Sequence, residues 1–276
     1  MKTSEMHQTL VRIISQRLEQ NANVLEKMFS RRNGKIPTRF LIIDDLLPTG
    51  LARDIYHSFP NKEQMRRLSS FRERKFTYKQ LDNTSELLKE ITFAIQSPEI
   101  VARVEKITKI PHQQPDSSLY AGGISMMTLG DFLNPHIDNS HDSDRHRYRT
   151  LNLLYYVTPD WKPEYGGNLE LWDENVREAE TIPSKFNRFV IMETNRNSWH
   201  SVSPVTHDGQ RCAVSNYYFS EKSPEGEEYF HVTSFSARPE QVFRRALARF
   251  DSFVRNGLRF IFRKGMGKSD IYKSNQ

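Results

Sequence analysis

The sequence predicts an α+β protein: helices through the first third, an antiparallel sandwich or jelly-roll core, and a closing C-terminal helix. Three observations carry this reading. Apolar residues recur at helical spacing near the start of the chain. From Tyr120 the texture changes to short β-rich runs separated by turn clusters. After Pro239 a long amphipathic helical pattern returns.

Residues 1–30 read as helix, because Leu10, Ile13, Ile14 and Leu18, then Val24, Leu25, Met28 and Phe29, fall at roughly helical spacing. Arg31-Arg32-Asn33-Gly34-Lys35 is a loop, and residues 39–44 form a short buried strand. Pro48-Thr49-Gly50 introduces a helix running to about His57, and residues 85–95 and 98–107 give two more. The first third is therefore mainly helical with one strand. The runs 123–129, 150–157, 168–172, 180–182, 189–193, 200–205 and 212–219 are β-rich. Between them lie turn clusters such as Tyr165-Gly166-Gly167, Asn195-Arg196-Asn197 and His207-Asp208-Gly209. Short strands at such spacing suit a sandwich or jelly roll. The expected organisation is 1–119, a helical part packing on the core; 120–221, the core; and 222–276, a loop and basic helix.

Composition narrows the function classes. A charged fraction of 27% and a hydrophobic fraction of 37% belong to a soluble globular chain. No apolar run approaches the roughly 20 residues that span a bilayer. The first residues carry no apolar segment of the signal-peptide kind, and Cys212 is the lone cysteine. A cytoplasmic location is expected. Residues 238–276 hold a local charge of +7 out of the total +6, leaving the remaining 237 residues near neutral at −1. A near-neutral body argues against a nucleic-acid channel.

The most informative residues are Pro135-His136-Ile137-Asp138, read with Trp199-His200 and Arg211 downstream. Two imidazoles and one carboxylate are the set that holds non-haem Fe(II) on one face and leaves three positions open. His136-x-Asp138 alone is unspecific, and its plain alternative is a polar loop. His141, His146, Asp142 and Asp144 are neighbours of the same residue types. Position favours His136 and Asp138: they follow an apolar strand and turn, whereas residues 139–149 read as a solvated excursion before an apolar strand returns. His200 opens a strand after a turn; its alternative is a histidine packed beside Trp199.

In 211–217, strand alternation puts Arg211, Ala213, Ser215 and Tyr217 on one face. A guanidinium on an inward face needs a counter-charge. A carboxylate ligand is the natural guest, since guanidinium and carboxylate match bidentately; the alternative is an ion pair with one of the 34 acids. Asn152, Leu154 and Tyr156 likewise share a face, from which Tyr156 could donate a second hydrogen bond to that carboxylate.

With these residues in place, the stretch from about Gly123 to Ser220 resembles the catalytic core of the 2-oxoglutarate- and Fe(II)-dependent oxygenases, closest to their prolyl-4-hydroxylase-like branch. The matching segments are 135–138, 153–161, 166–171, 186–190, 199–202 and 211–215, in the family's order. The resemblance implies a double-stranded β-helix with His136, Asp138 and His200 as both metal ligands and catalytic centre. Arg211 would hold the distal carboxylate of 2-oxoglutarate with Tyr156 assisting, and Ser215, Leu169 and Asn152 would line the pocket. Thr128 or Met127 stands where related hydroxylases often have tyrosine, and Tyr217 where some have tryptophan.

The implied cofactors are Fe(II), with 2-oxoglutarate and O2 as co-substrates and ascorbate as a candidate addition. The implied reaction is hydroxylation of an unactivated C–H, on proline, another amino acid, a peptide or a biosynthetic intermediate, with release of succinate and CO2. Halogenases of the superfamily carry glycine or alanine at the carboxylate position, so Asp138 favours hydroxylation. Two alternatives stand beside it: a different oxidative outcome such as desaturation or halogenation, and a non-catalytic jelly-roll module that binds a small acid. The polar loop with Arg145, Arg147 and Arg149 reads as part of a lid or as a solvated hairpin. The basic amphipathic pattern over 239–264 suits a membrane surface, a dimer contact or plain packing on the core.

Overall fold

A computed structural model describes residues 4–31, 34–240 and 271–273. The chain opens with α1 (Glu5–Gln20) and α2 (Ala22–Ser30), then β1 (Phe40–Ile43) and α3 (Thr49–His57). A hairpin follows, β2 (Arg66–Ser69) and β3 (Glu73–Tyr78), and then α4 (Glu86–Ala94) and α5 (Pro98–Thr108). The core strands are β4 (Gln114–Pro115), β5 (Gly123–Met127), β6 (Phe132–Ile137), β7 (Tyr148–Tyr156), β8 (Leu169–Trp172) and β9 (Ala179–Ile182). After them come β10 (Arg188–Glu193), β11 (His200–Val202), β12 (Arg211–Ser220) and β13 (Ser234–Phe235).

Local chemistry sets the helix ends. Ser4 and Ser85 cap α1 and α4 by accepting the backbone N–H of His7 and Leu88. Pro98 sits in the first turn of α5, where its missing N–H costs nothing, and Lys109 ends that helix in a left-handed conformation. The single helix expected over 1–30 is two helices, joined at Asn21. No described helix is long and apolar enough to cross a membrane.

The strands form one curled antiparallel sheet in the order β1-β10-β7-β12-β5-β3-β6-β11-β8-β9, with β2, β4 and β13 attached to β3, β12 and β6. Strand alternation divides its two faces. On the convex side Leu151, Leu153, Tyr155, Cys212, Val214 and Tyr218 pack on the helices through Leu10, Ile14, Leu25, Phe29, Leu88 and Ile91. Each such fully buried side chain contributes roughly 1.5–3 kcal/mol. On the concave side Tyr156, Leu169, Leu171, Val190 and Ala213 pack across the curl. The result is the jelly-roll type of architecture with flanking helices.

Two elements differ from the sequence expectation. The first third supplies a hairpin besides β1: β3 pairs with both β5 and β6, and Arg67 ties β2 to the buried Asp131 at 2.7 Å. Residues 139–149 are not a solvated excursion throughout. Ser140, His141 and Asp142 are buried, with the N–H of Ser140 donating to the His231 carbonyl at 3.0 Å. The segment 229–238 lies over them and over β6, where β13 pairs Phe235 with His136. The helix expected over 239–264 lies outside the described residues, apart from Pro239 and Glu240.

Candidate metal centre

Strands β6 and β11 build the centre. His136 and His200 are register partners across the ladder, and Asp138 follows the last residue of β6. Each of the three offers one ligand atom, and these atoms lie within 4.8 Å of one another. His136 Nε2 is 3.6 Å from Asp138 Oδ1, and His200 Nε2 is 3.7 Å from Asp138 Oδ2. All three side chains are buried.

The tautomers follow from the hydrogen bonds. His136 Nδ1 faces the Asn134 carbonyl at 3.0 Å, and His200 Nδ1 faces the Ser198 carbonyl at 2.9 Å. A carbonyl only accepts, so both Nδ1 atoms carry the proton and both Nε2 lone pairs point at Asp138. Burial and the neighbouring His136 hold His200 down to about 4, which keeps it a neutral donor. Burial pushes the Asp138 carboxyl up, but the Arg149 guanidinium outweighs it and the group is held well below the usual carboxylate range. Two neutral imidazoles and a carboxylate converging on one point form a cation site.

The triad opens into a cavity of about 330 Å³. At one end stands Arg211, 4% exposed, whose Nε donates to the Gly167 carbonyl at 3.0 Å. No acidic side chain pairs with it among the described residues. Its guanidinium carbon lies 4.9 Å from the ring of Tyr156, whose buried hydroxyl has no hydrogen-bond partner. Burial lowers the Arg211 pKa and raises that of Tyr156. A buried cation and an orphaned buried hydroxyl side by side fit the distal carboxylate of a dicarboxylic acid, which supplies the missing charge and acceptor. Leu169, Ser215 and Asn152 line the same cavity. Gly166 and Gly167 shape this end: both have positive φ, and a Cβ on Gly167 would stand 3.2 Å from Arg211 Cγ.

At the cavity mouth the hairpin contributes Glu73 and Lys75, paired at 3.0 Å, and β13 contributes Phe235, stacked on His136 at 5.3 Å. Sequence reasoning missed these, and it read Arg149 as part of a lid or of a solvated hairpin. Arg149 is 3% exposed, and its Nη1 lies 3.2 Å from Asp138 Oδ2. The end of an apolar strand, two residues before Leu151, was the available signal for its burial.

Residues 122–219, about a third of the chain, match the model of the 2OG-Fe(II) oxygenase superfamily. Among curated proteins it is similar to the prolyl 3-hydroxylase OGFOD1 of Xenopus laevis, at 32% identity over 103 residues. That match covers 34% of this chain and 20% of the relative, so the chain spans about a fifth of that relative's length. Among solved structures it is similar to a prolyl-4-hydroxylase from Pseudomonas putida, with a TM-score of 0.54, 13% identity, and 75% and 98% of the two chains covered. A prolyl hydroxylase from Trichoplax adhaerens, in complex with a hypoxia inducible factor peptide fragment, gives 0.54 and 19%, with 77% and 96% covered. At these identities the structures speak for the fold. Fe(II) and 2-oxoglutarate are the cofactors that family and triad imply, and the donor set fits them.

Proposed function

We propose that the chain is a 2-oxoglutarate-dependent non-haem Fe(II) dioxygenase that hydroxylates an unactivated C–H of a peptide or small molecule. The observation that carries this is the convergence of His136, Asp138 and His200 in one cavity with the unpaired Arg211. With Fe(II) and 2-oxoglutarate bound, one oxygen atom of O2 enters succinate as CO2 leaves, and the other enters the substrate C–H. The chain's residues do the rest. His136, Asp138 and His200 would hold the metal through two imidazoles and one carboxylate. Arg211 and Tyr156 orient the co-substrate by its distal carboxylate, and Ser215, Leu169 and Asn152 fix its walls. Phe235 stacks on His136 and adds an apolar ring to the cavity wall.

The prolyl hydroxylases among the relatives make a peptidyl proline the first substrate to try, and free amino acids the second. Anaerobic addition of Fe(II) and 2-oxoglutarate should give a visible metal-to-ligand charge-transfer band. Aerobic turnover should release succinate and leave a product heavier by one oxygen. Absence of the band would sink the oxygenase reading, and a product lacking the added oxygen would replace hydroxylation by another oxidative outcome.

A further inference from the structure

We propose that Arg149 is a positioning residue that keeps Asp138 a one-oxygen metal ligand by holding the second carboxylate oxygen itself. The inference rests on the metal reading of the triad given above.

The guanidinium of Arg149 is fixed from three directions. Nη1 stands 3.2 Å from Asp138 Oδ2, and Nη2 donates to Asn139 Oδ1 at 2.7 Å. Its planar carbon lies 4.4 Å from the Tyr217 ring centroid and 5.7 Å from that of Phe219. Tyr217 is held in turn, since its hydroxyl accepts from Asn152 Nδ2 at 3.0 Å. Arg149 belongs to β7 and Tyr217 to β12, which pair directly, so the cation is mounted on the rigid part of the sheet. Swinging outward would cost it the part-buried hydrogen bond to Asn139, the ion pair with Asp138 and an aromatic face.

Asp138 is not mounted on a strand, and besides Arg149 and the histidines the Tyr217 hydroxyl faces it. It lies one residue past the end of β6, and Arg149 is its one cationic partner among the described residues besides the two histidines. A carboxylate free to rotate can chelate a metal through both oxygens. That would occupy one of the three positions left open by a facial triad, and 2-oxoglutarate and O2 need all three. An oxygen engaged by a fixed guanidinium is withheld from the metal. Arg149 thereby protects the co-substrate's place rather than the metal's affinity, and removing a cation beside a dication gives no reason for the metal to bind less tightly.

The test titrates the full chain anaerobically with Fe(II) and then with 2-oxoglutarate, for wild type, Arg149→Met and Arg149→Lys, following the charge-transfer band. Arg149→Met should keep its Fe(II) affinity while 2-oxoglutarate affinity drops by about tenfold or more, with a shifted band; Arg149→Lys should recover most of the loss. Crystals loaded with Ni(II) and 2-oxoglutarate should show Asp138 bound through one oxygen in wild type and through two, or turned away, in Arg149→Met. Unchanged 2-oxoglutarate binding in Arg149→Met overturns the proposal, as does a wild-type Asp138 chelating through both oxygens. Loss of Fe(II) binding in Arg149→Met also overturns it, by making Arg149 a structural counter-charge. If Arg149→Met does not fold, Asn139→Ala, which frees only Nη2, takes its place: a smaller drop in 2-oxoglutarate affinity supports the proposal and no drop refutes it. Failure of the wild type to bind Fe(II) or 2-oxoglutarate would refute the functional reading instead.

Discussion

His136 and His200 stand directly opposite each other in the β6–β11 ladder, with ring centroids 4.1 Å apart. A cross-strand pair is among the closest approaches that two side chains on one sheet face can make. The spacing of the two nitrogen ligands is therefore a property of strand register. A slip of one residue in either strand would turn one imidazole to the other face and dissolve the site. The irregularity between His200 and Val202 confines that register to the position where it is needed.

Asp138→Ala should abolish Fe(II) binding and also destabilise the fold. The substitution strands the Arg149 guanidinium in a buried site without its carboxylate, a loss of about 3 kcal/mol. A metal titration and a urea melt check the two halves. A variant as stable as the wild type would show that Arg149 is compensated elsewhere.

Arg211→Ala should leave Fe(II) affinity intact and weaken 2-oxoglutarate by about 3 kcal/mol, or roughly a hundredfold. Anaerobic titration of the charge-transfer band reads both constants. Equal 2-oxoglutarate affinity in the two proteins would remove Arg211 from the pocket.

Gly167→Ala should act on the same constant by a different route. Its φ of +67° disfavours an L side chain, and the new methyl meets Arg211 Cγ and Val205 Cγ2 at 3.2 Å. A stability loss of about 1–2 kcal/mol is expected. Weaker 2-oxoglutarate binding with normal Fe(II) binding should accompany it, measurable in the same titration.

Stability should fall on mild acidification through His231, which lies in the segment covering Ser140. Burial holds this imidazole down to about 4, against an ordinary value of 6.5. Between those values the unfolded chain binds the proton and the folded chain does not, so stability is full above 6.5 and is lost as pH falls toward 4. From pH 7 to 5 the loss through this one group is about 1–2 kcal/mol. Urea melts of wild type and His231→Asn at the two pH values test it: the variant should show the shallower dependence.

Much of the site was legible because it sits on regular strands. Alternation over 211–217 put Arg211, Ser215 and Tyr217 on one face, and all three line the cavity. The same logic placed Asn152 and Tyr156 opposite the helix-facing Leu153 and Tyr155. Where pairing rather than pattern decides burial, the sequence was silent. Arg66, Arg67, Arg72, Glu73, Arg74 and Lys75 hide the alternation of the β2–β3 hairpin, and the buried acid that pairs with the exposed Arg67 lies 64 residues away. His141 and Asp142 look solvated in sequence because the segment that covers them begins nearly ninety residues later.

The chain's single thiol occupies an unusual position for a protein expected to handle O2. Cys212 is the immediate neighbour of Arg211, yet alternation turns it to the helix side of β12, among Val214, Tyr218 and the convex core. Burial pushes that thiol up to about 12, so the reactive thiolate is scarcely formed at neutral pH. The sheet itself thus acts as a firewall: one residue of offset separates the co-substrate's anchor from the side chain most easily damaged by stray oxidants.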